Sequence, residues 1–251
     1  INYILPEDRL VYYDIVGVVI NPPKLSVMDT YYDAEYYLEK DEKVMIIFVD
    51  GFGYHQYNYA KKNGYAPYLA SLQEAKIANT VYRPVTNAGY AAMITGVSPK
   101  ENGIKNRDGR QPLVPTIFEK ALEMERKAMV VESYSCAIDT GITPIFSLDN
   151  NKDGYTDEEV FNNAKIALEE KPDLIMVHFH GVDDAGHCFG DFDKRTMEKI
   201  REVDNYIKVI SSNWNGKIIL TADHGMHKKG NEGTHGYFRY EDLIIPYLIY
   251  N

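Results

Sequence analysis

Six consecutive apolar residues, Val44-Met45-Ile46-Ile47-Phe48-Val49, constrain the fold of this chain more than any other feature. The run has strand length and does not alternate. A strand with one wet face would carry polar residues at every second position. This one is therefore expected to be buried on both faces, inside a parallel sheet covered by helices. Asp173 to His180 and Ile218 to Leu220 read the same way. Helical spacings lie between them: Ile117, Phe118, Ala121 and Leu122 after Pro115; Phe161, Ala164 and Leu168; Met197, Ile200, Val203, Ile207 and Ile210. Strands alternating with helices predict a three-layer α/β sandwich on a largely parallel central sheet.

The remaining segments fill in that plan. A helix is expected from Pro67 through Leu69 and Leu72, a strand from Ala78 to Arg83, and a short helix closed by Gly96. Ala128 to Val131 is a further short strand. Leu243 to Tyr250 is a final strand placed near an edge, because Pro246 interrupts it. Residues 1–42 read as an irregular aromatic extension packed on the core, with Tyr12, Tyr13, Tyr31, Tyr32, Tyr36 and Tyr37. Within it, Val16 to Ile20 suits an edge strand or hairpin arm stopped by Pro22-Pro23.

A chain of 251 residues buries a substantial single core. Its net charge of -10 argues against a nucleic-acid surface, since phosphate backbones attract Lys and Arg. An acidic protein that acts on phosphate needs cations at the site. No apolar run approaches the roughly 18 residues of a membrane span. Cys136 and Cys188 are too few for a disulfide framework, and no dinucleotide or P-loop glycine pattern occurs. The compartment stays open between cytoplasm, slightly favoured, and secretion after removal of a signal peptide.

The chemistry gathers at strand ends. Asp50 follows the first apolar run and precedes Gly51-Phe52-Gly53. Asp183 and His187, four residues apart, fall on one side of a helical turn beyond the strand at 173–180. Asp223-His224 follows the strand at 218–220, and His235 comes eleven residues later. Thr86 sits between a strand and a helix. Taken singly, Asp50 suits a helix cap, Thr86 an N-cap, and Asp223-His224 a solvated turn. Together they lie on the carboxyl-end rim where open α/β sheets place ligands, and carboxylates mixed with imidazoles form a metal-ligand set. A helix N-terminus behind Thr86 favours phosphate. The loop from Gly103 to Arg110 carries Lys105, Arg107 and Arg110, so Asn106 and Arg107 are candidate phosphate contacts. Asp149, Asn151 and Asp153 match the opening of a calcium loop with Gly154 at its sixth position. The twelfth position is Val160 rather than Glu, and the alternative is a plain turn followed by a capping box of Thr156 with Glu159.

Val-Asp-Gly-Phe-Gly at 49–53, Thr86 nine residues before Thr95-Gly96, Asp183-x-x-Gly186-His187, Thr-Ala-Asp-His-Gly-Met at 221–226 and Thr-His-Gly at 234–236 resemble the alkaline phosphatase superfamily. The likeness is greatest to its branch of type I phosphodiesterases and nucleotide pyrophosphatases, and it spans about residues 43–250. It implies an alkaline phosphatase-like catalytic domain over 43–251. Related chains usually continue further, which leaves room for a missing C-terminal part. It also implies two divalent ions, zinc or alternatively manganese. One would be held by Asp50, Asp223, His224 and the Thr86 oxygen, the other by Asp183, His187 and His235. Thr86 would be the nucleophile of a covalent phosphothreonine mechanism on a small phosphodiester or pyrophosphate. His55, His178, His180 and His227 would be structural or outer-shell.

One departure bears on the substrate. Members of the family often place an Asn about 21 residues after the nucleophile. That offset falls on Arg107 here, with Asn106 beside it. An Arg fork favours a more highly charged phosphate, which raises a phosphomonoesterase reading. A non-catalytic metal or phosphate-binding protein on the same fold is the third alternative.

Overall fold

The computed structural model describes residues 23–251. Tyr12, Tyr13 and the arm at Val16 to Ile20 lie outside the described residues. In chain order the elements are β1 (Leu25–Ser26), α1 (Asp29–Glu39), β2 (Val44–Val49), α2 (Tyr54–Lys62), α3 (Pro67–Ser71), β3 (Lys76–Asn79), α4 (Thr86–Thr95), α5 (Pro99–Asn102) and α6 (Ile117–Glu123). They continue with β4 (Ala128–Glu132), β5 (Ile145–Phe146), α7 (Asp157–Glu169), β6 (Leu174–Phe179), α8 (Gly181–Phe189), α9 (Lys194–Ser212) and β7 (Lys217–Thr221). The hairpin β8 (His227–Lys229) and β9 (Glu232–Thr234), then α10 (Tyr240–Leu243) and β10 (Ile244–Tyr250), complete the chain.

Among the described residues, eight strands form one sheet in the order β1-β3-β10-β7-β2-β6-β4-β5. β2 is its centre and is buried along its whole length, as the unbroken apolar run requires. It pairs in parallel with β6 and with β7. Only β10 runs against the rest, antiparallel to both β3 and β7. Helices α1, α4 and α6 pack on one another on one side, while α2, α3, α7 and α9 form the opposite layer. The α9 stripe of Met197, Ile200, Val203, Ile207 and Ile210 is buried. These are the three layers expected from the alternation of patterns.

Several local expectations shift. Residues 29–39 are a regular helix rather than irregular chain. Thr30, Ala34 and Leu38 bury one stripe of it while the tyrosines stay at its flank. The third strand is Lys76–Asn79, earlier than 78–83, because Leu25 and Ser26 of β1 pair with Ala78 and Asn79 and the chain leaves the sheet there. α6 begins at Ile117, with Thr116 as its cap in a reciprocal pair with Glu119. Thr156 and Glu159 do not form such a pair. Thr156 donates to Ser133, and Glu159 accepts from the backbone of Asn150 and Asn151. Pro246 is not at the edge, since β10 lies between β3 and β7. Its carbonyl accepts from Thr221, so its missing N–H also faces β7, one residue beyond the paired run Tyr247–Tyr250.

Candidate active site

The carboxyl ends of β2, β6 and β7 open on one rim, and each is followed by polar residues. Asp50 ends β2 and is fully buried. Asp223 and His224 follow β7 and are fully buried too. His224 Nε2 lies 3.4 Å from Asp50 Oδ1, 3.3 Å from Asp223 Oδ2 and 3.2 Å from Thr86 Oγ1. Thr86 is the first residue of α4, and the cap position belongs to Val85. Thr86 therefore does not cap the helix, and its hydroxyl faces His224.

Two glycines make this approach feasible. A Cβ on Gly89 would strike the Asp223 backbone, so α4 lies directly against the end of β7. Gly51, at φ +68°, would place a Cβ 2.6 Å from Asp183 Oδ1, and its N–H donates to Asp223 Oδ1 at 3.2 Å.

The second group is built on α8 and the hairpin. Asp183 and His187 sit one turn apart on α8, with His187 Nε2 3.4 Å from Asp183 Oδ2. His235 follows β9 and places Nε2 3.9 Å from Asp183 Oδ1. Its ring stacks on His224 at 3.7 Å, so the two groups adjoin. Backbone carbonyls orient the outer imidazoles: Gly233 for His187 and Pro84 for His235, each through Nδ1. That leaves Nε2 of both turned inward.

The donor atoms of Asp50, Asp223 and His224 lie within 4.8 Å of one another, and so do those of Asp183, His187 and His235. Neither Asp50 oxygen, nor Asp183 Oδ1, nor Asp223 Oδ2 accepts a hydrogen bond, and Asp50 Oδ2 meets only the ion-pair approach of His178 and His180 at 3.4 and 3.1 Å. Buried carboxylate oxygens are rarely left so, and cations would satisfy them. Two divalent ions fit this donor set of three carboxylates and three imidazoles.

The electrostatics agree. Burial, then the negative charges of Asp50 and Asp183, push the Asp223 carboxyl well above its ordinary range. Burial acts the same way on Asp50, but His180, His178 and His224 outweigh it and hold that carboxyl low. The His187 imidazole is raised, chiefly by its bond to Asp183. His235 is lowered to about 3 by burial and by His224 and Arg107, which keeps it neutral.

Arg107 reaches this rim, with Nη2 2.8 Å from His235 Nε2. Asn106 instead closes its own turn, its Oδ1 accepting from the Asp108 N–H at 2.9 Å. The loop is tied to α4 by Asn87, which donates to the Gly109 carbonyl. Asp149, Asn151 and Asp153 stand apart from the rim and accept backbone N–H groups within their own turn.

The strand-end carboxylate that sequence reading passed over is Glu132. It ends β4 as Asp50 ends β2, and that position was the available signal. Its Oε2 lies 2.8 Å from His178 Nδ1. His180 Nε2 comes within 3.1 Å of Asp50 Oδ2.

Fold and rim together define an α/β protein of alkaline phosphatase type, with a carboxylate–imidazole centre and a hydroxyl at a helix start. The family model of type I phosphodiesterase / nucleotide pyrophosphatase matches residues 115–243, just over half of the chain. The chain belongs to that family.

Among curated proteins, GPI ethanolamine phosphate transferase 2 of Schizosaccharomyces pombe is 32% identical over 76 residues, which is 27% of this chain and 10% of the relative. GPI ethanolamine phosphate transferase 3 of the same organism is 26% identical over 113 residues, 44% of this chain and 12% of the relative. The chain thus spans only about a tenth of these relatives. Among solved structures, phosphonoacetate hydrolase from Sinorhizobium meliloti 1021 with phosphonoformate superposes with a TM-score of 0.61 at 17% identity, covering 84% of this chain and 58% of that one. An inactive form of murine ectonucleotide pyrophosphatase / phosphodiesterase 5 in complex with AMP gives 0.58 at 18% identity, covering 74% and 58%. These two share the fold. No helix among the described residues is long and apolar enough to cross a membrane.

Proposed function

We propose that this chain is a two-metal phosphoric ester hydrolase, acting on a small phosphodiester or pyrophosphate with Thr86 as covalent nucleophile. The observation that carries this reading is the Thr86 hydroxyl at a helix start, 3.2 Å from a histidine that also faces two buried carboxylates. Asp50, Asp223, His224 and Thr86 would hold one ion; Asp183, His187 and His235 would hold the other. When bound, such a pair supplies Lewis-acid stabilisation of the attacking and leaving oxygens of an in-line displacement.

The residues themselves account for the remaining steps. Thr86 Oγ gives its proton to solvent and forms a bond to phosphorus as the bond to the leaving oxygen breaks. The departing alcohol or phosphate takes up a proton from solvent. The N-terminal amides of α4 face the transferred group. Water then gives a proton to solvent and attacks the phosphorus held on Thr86; the bond to Thr86 Oγ breaks, Thr86 takes up a proton, and a phosphomonoester leaves where the substrate was a diester, or phosphate where it was a monoester. Arg107, beside His235, is placed to hold a non-bridging oxygen through its fork, and it supports phosphomonoesters as the alternative substrate class.

Sequence likeness to ethanolamine phosphate transferases favours a second reading, in which an alcohol rather than water accepts the phosphoryl group. One experiment separates the readings. Metal content is measured on the purified protein, and matched monoester and diester substrates are then turned over with and without an alcohol acceptor. Two ions per chain and faster diester hydrolysis are expected. Product carried mainly on the alcohol would replace hydrolysis by transfer. A metal-free protein with full turnover would overturn the two-metal reading.

A further inference from the structure

Beneath the candidate centre lies a buried polar cluster that the proposed chemistry leaves unused. Glu132 is fully buried. Its Oε1 accepts from the Tyr90 hydroxyl at 2.6 Å and from Cys136 Sγ at 3.4 Å. Its Oε2 faces His178 Nδ1 at 2.8 Å. With Nδ1 engaged, the imidazole presents only Nε2, and that atom points 3.4 Å from Asp50 Oδ2. The ring is held in place. It stacks on Phe48 with centroids 3.7 Å apart and meets the edge of Tyr90. Phe48 pairs with His178 across β2 and β6, and Glu132 is one residue beyond the Val131–Val177 pair of β4 and β6. The cluster is thus a row across three neighbouring parallel strands at the centre of the sheet, leading to the end of β2.

Asp50 is divided between two surroundings. Oδ2 lies between His178 and His180, at 3.4 and 3.1 Å. Oδ1 faces His224. Packing alone does not account for the row, because a buried carboxylate–imidazole pair is generally no more stabilising than apolar residues of the same volume. The three candidate ligand histidines are oriented by backbone carbonyls, Gly225 for His224, Gly233 for His187 and Pro84 for His235, so among the candidate ligands a side-chain row stands behind Asp50.

We propose that Glu132 and His178 are positioning residues that hold Asp50 Oδ2, so that Oδ1 is presented to the ion seat shared with Asp223 and His224. The proposal rests on the two-metal reading above. It makes affinity at one seat, and not at its neighbour, depend on a carboxylate that touches neither ion nor substrate.

The test is a zinc titration of metal-free full chain against a chromophoric chelator. Wild type should take up two equivalents. Glu132→Gln and His178→Gln should each weaken one equivalent by roughly 10–100-fold, and leave the other within about twofold. Glu132→Asp should recover part of the loss. A purely structural role would lower thermal stability without favouring either seat. If those variants fail to fold, Tyr90→Phe removes one bond to Glu132 and should give a smaller loss at the same seat. Unchanged affinities in folded variants, or equal weakening of both seats, would overturn the proposal. So would a third equivalent bound by wild type and lost in His178→Gln, since the donor atoms of Asp50, His178 and His180 also lie within 4.8 Å of one another and His178 would then itself be a ligand. A wild-type chain that bound no zinc would overturn the two-metal reading and this proposal with it; a loaded wild type with unaffected variants overturns this proposal alone.

Discussion

The two candidate ion seats are built from different materials. Asp50, Asp223 and His224 come from the ends of the two central strands, with the Glu132–His178 row behind them, and all three are fully buried. Asp183 and His187 ride on α8, and His235 arrives from the β8–β9 hairpin; backbone carbonyls hold both rings, as the Gly225 carbonyl holds His224. His187 is partly open to solvent, with 36% of its side chain exposed. The sheet therefore makes an inner candidate seat that is fully buried. The helix and hairpin make an outer one that solvent reaches at His187, while Asp183 and His235 are buried. Under the proposed mechanism, preorganisation would suit the covalent step at Thr86 and access would suit the step that admits water.

The sharpest way to break this comparison is at Thr86. Thr86→Ala should cut turnover by about a thousandfold or more and leave both zinc equivalents bound, because the other inner donors remain. Near-normal turnover in this variant would remove the covalent role from the inner seat.

Asp223 tests the electrostatics of the inner seat next. Its carboxyl is raised in the folded chain by burial and by Asp50 and Asp183. A raised carboxyl favours folding below its unfolded pKa, and that contribution is lost as pH climbs through the folded value. Metal-free Asp223→Asn should therefore be more stable than wild type at neutral pH, by about 2–4 °C in Tm, with the difference shrinking towards acid. Calorimetry across that range decides it, and a variant less stable at neutral pH would show that the inner carboxylates do not repel.

The outer seat should respond to pH in the opposite sense. His187 is raised by its bond to Asp183, so an incoming ion must displace a proton. Zinc affinity at that seat should fall by about tenfold per pH unit below the raised value, which lies above the ordinary 6.5. His235, neutral above about 3, adds nothing to this slope. Competition titrations from mild acid to mild alkali measure it, and a flat profile would place His187 outside the seat.

Arg107 sharpens the comparison on the substrate side. Arg107→Ala should cost monoester cleavage roughly 1.5–3 kcal/mol more than diester cleavage, read as a ratio of kcat/KM values. Equal losses would mean that Arg107 does not discriminate. The smallest effect concerns calcium, proposed at Asp149, Asn151 and Asp153. Their oxygens already serve backbone amides, so millimolar calcium should move Tm by less than about 1 °C. A larger rise would show that the turn binds the ion.

Much of the fold was legible because its strands are buried on both faces. An unbroken run such as Val44–Val49 has one sensible place, the middle of a parallel sheet. The helix at 29–39 was obscured because tyrosines on several faces blur a period of 3.6, and burial falls on the small residues Thr30 and Ala34. The role of Pro246 was hidden because which neighbour a missing N–H faces depends on register. At the site, the ligand candidates were visible as carboxylates and imidazoles at strand ends. Glu132 carried the same strand-end signal, but its role was not legible, since it lies in contacts with β6 and α4, far away in sequence. Asn106 and Arg107 read alike in the chain; only the turn at Asp108 separates the one that folds back from the one that reaches the rim.

The hydrogen atom on Gly51 Cα has a consequence for the spacing of this centre. It is the only thing that separates the end of β2 from Asp183 Oδ1 at that point, where a methyl group would come within 2.6 Å. The missing atom acts as a gauge block: it lets Asp183 come up against the end of β2, and under the two-metal proposal it would set how closely the two groups of ligands approach. A bulkier residue would be strained at φ +68° and would also push Asp183 away from the end of β2, parting the two groups of candidate ligands.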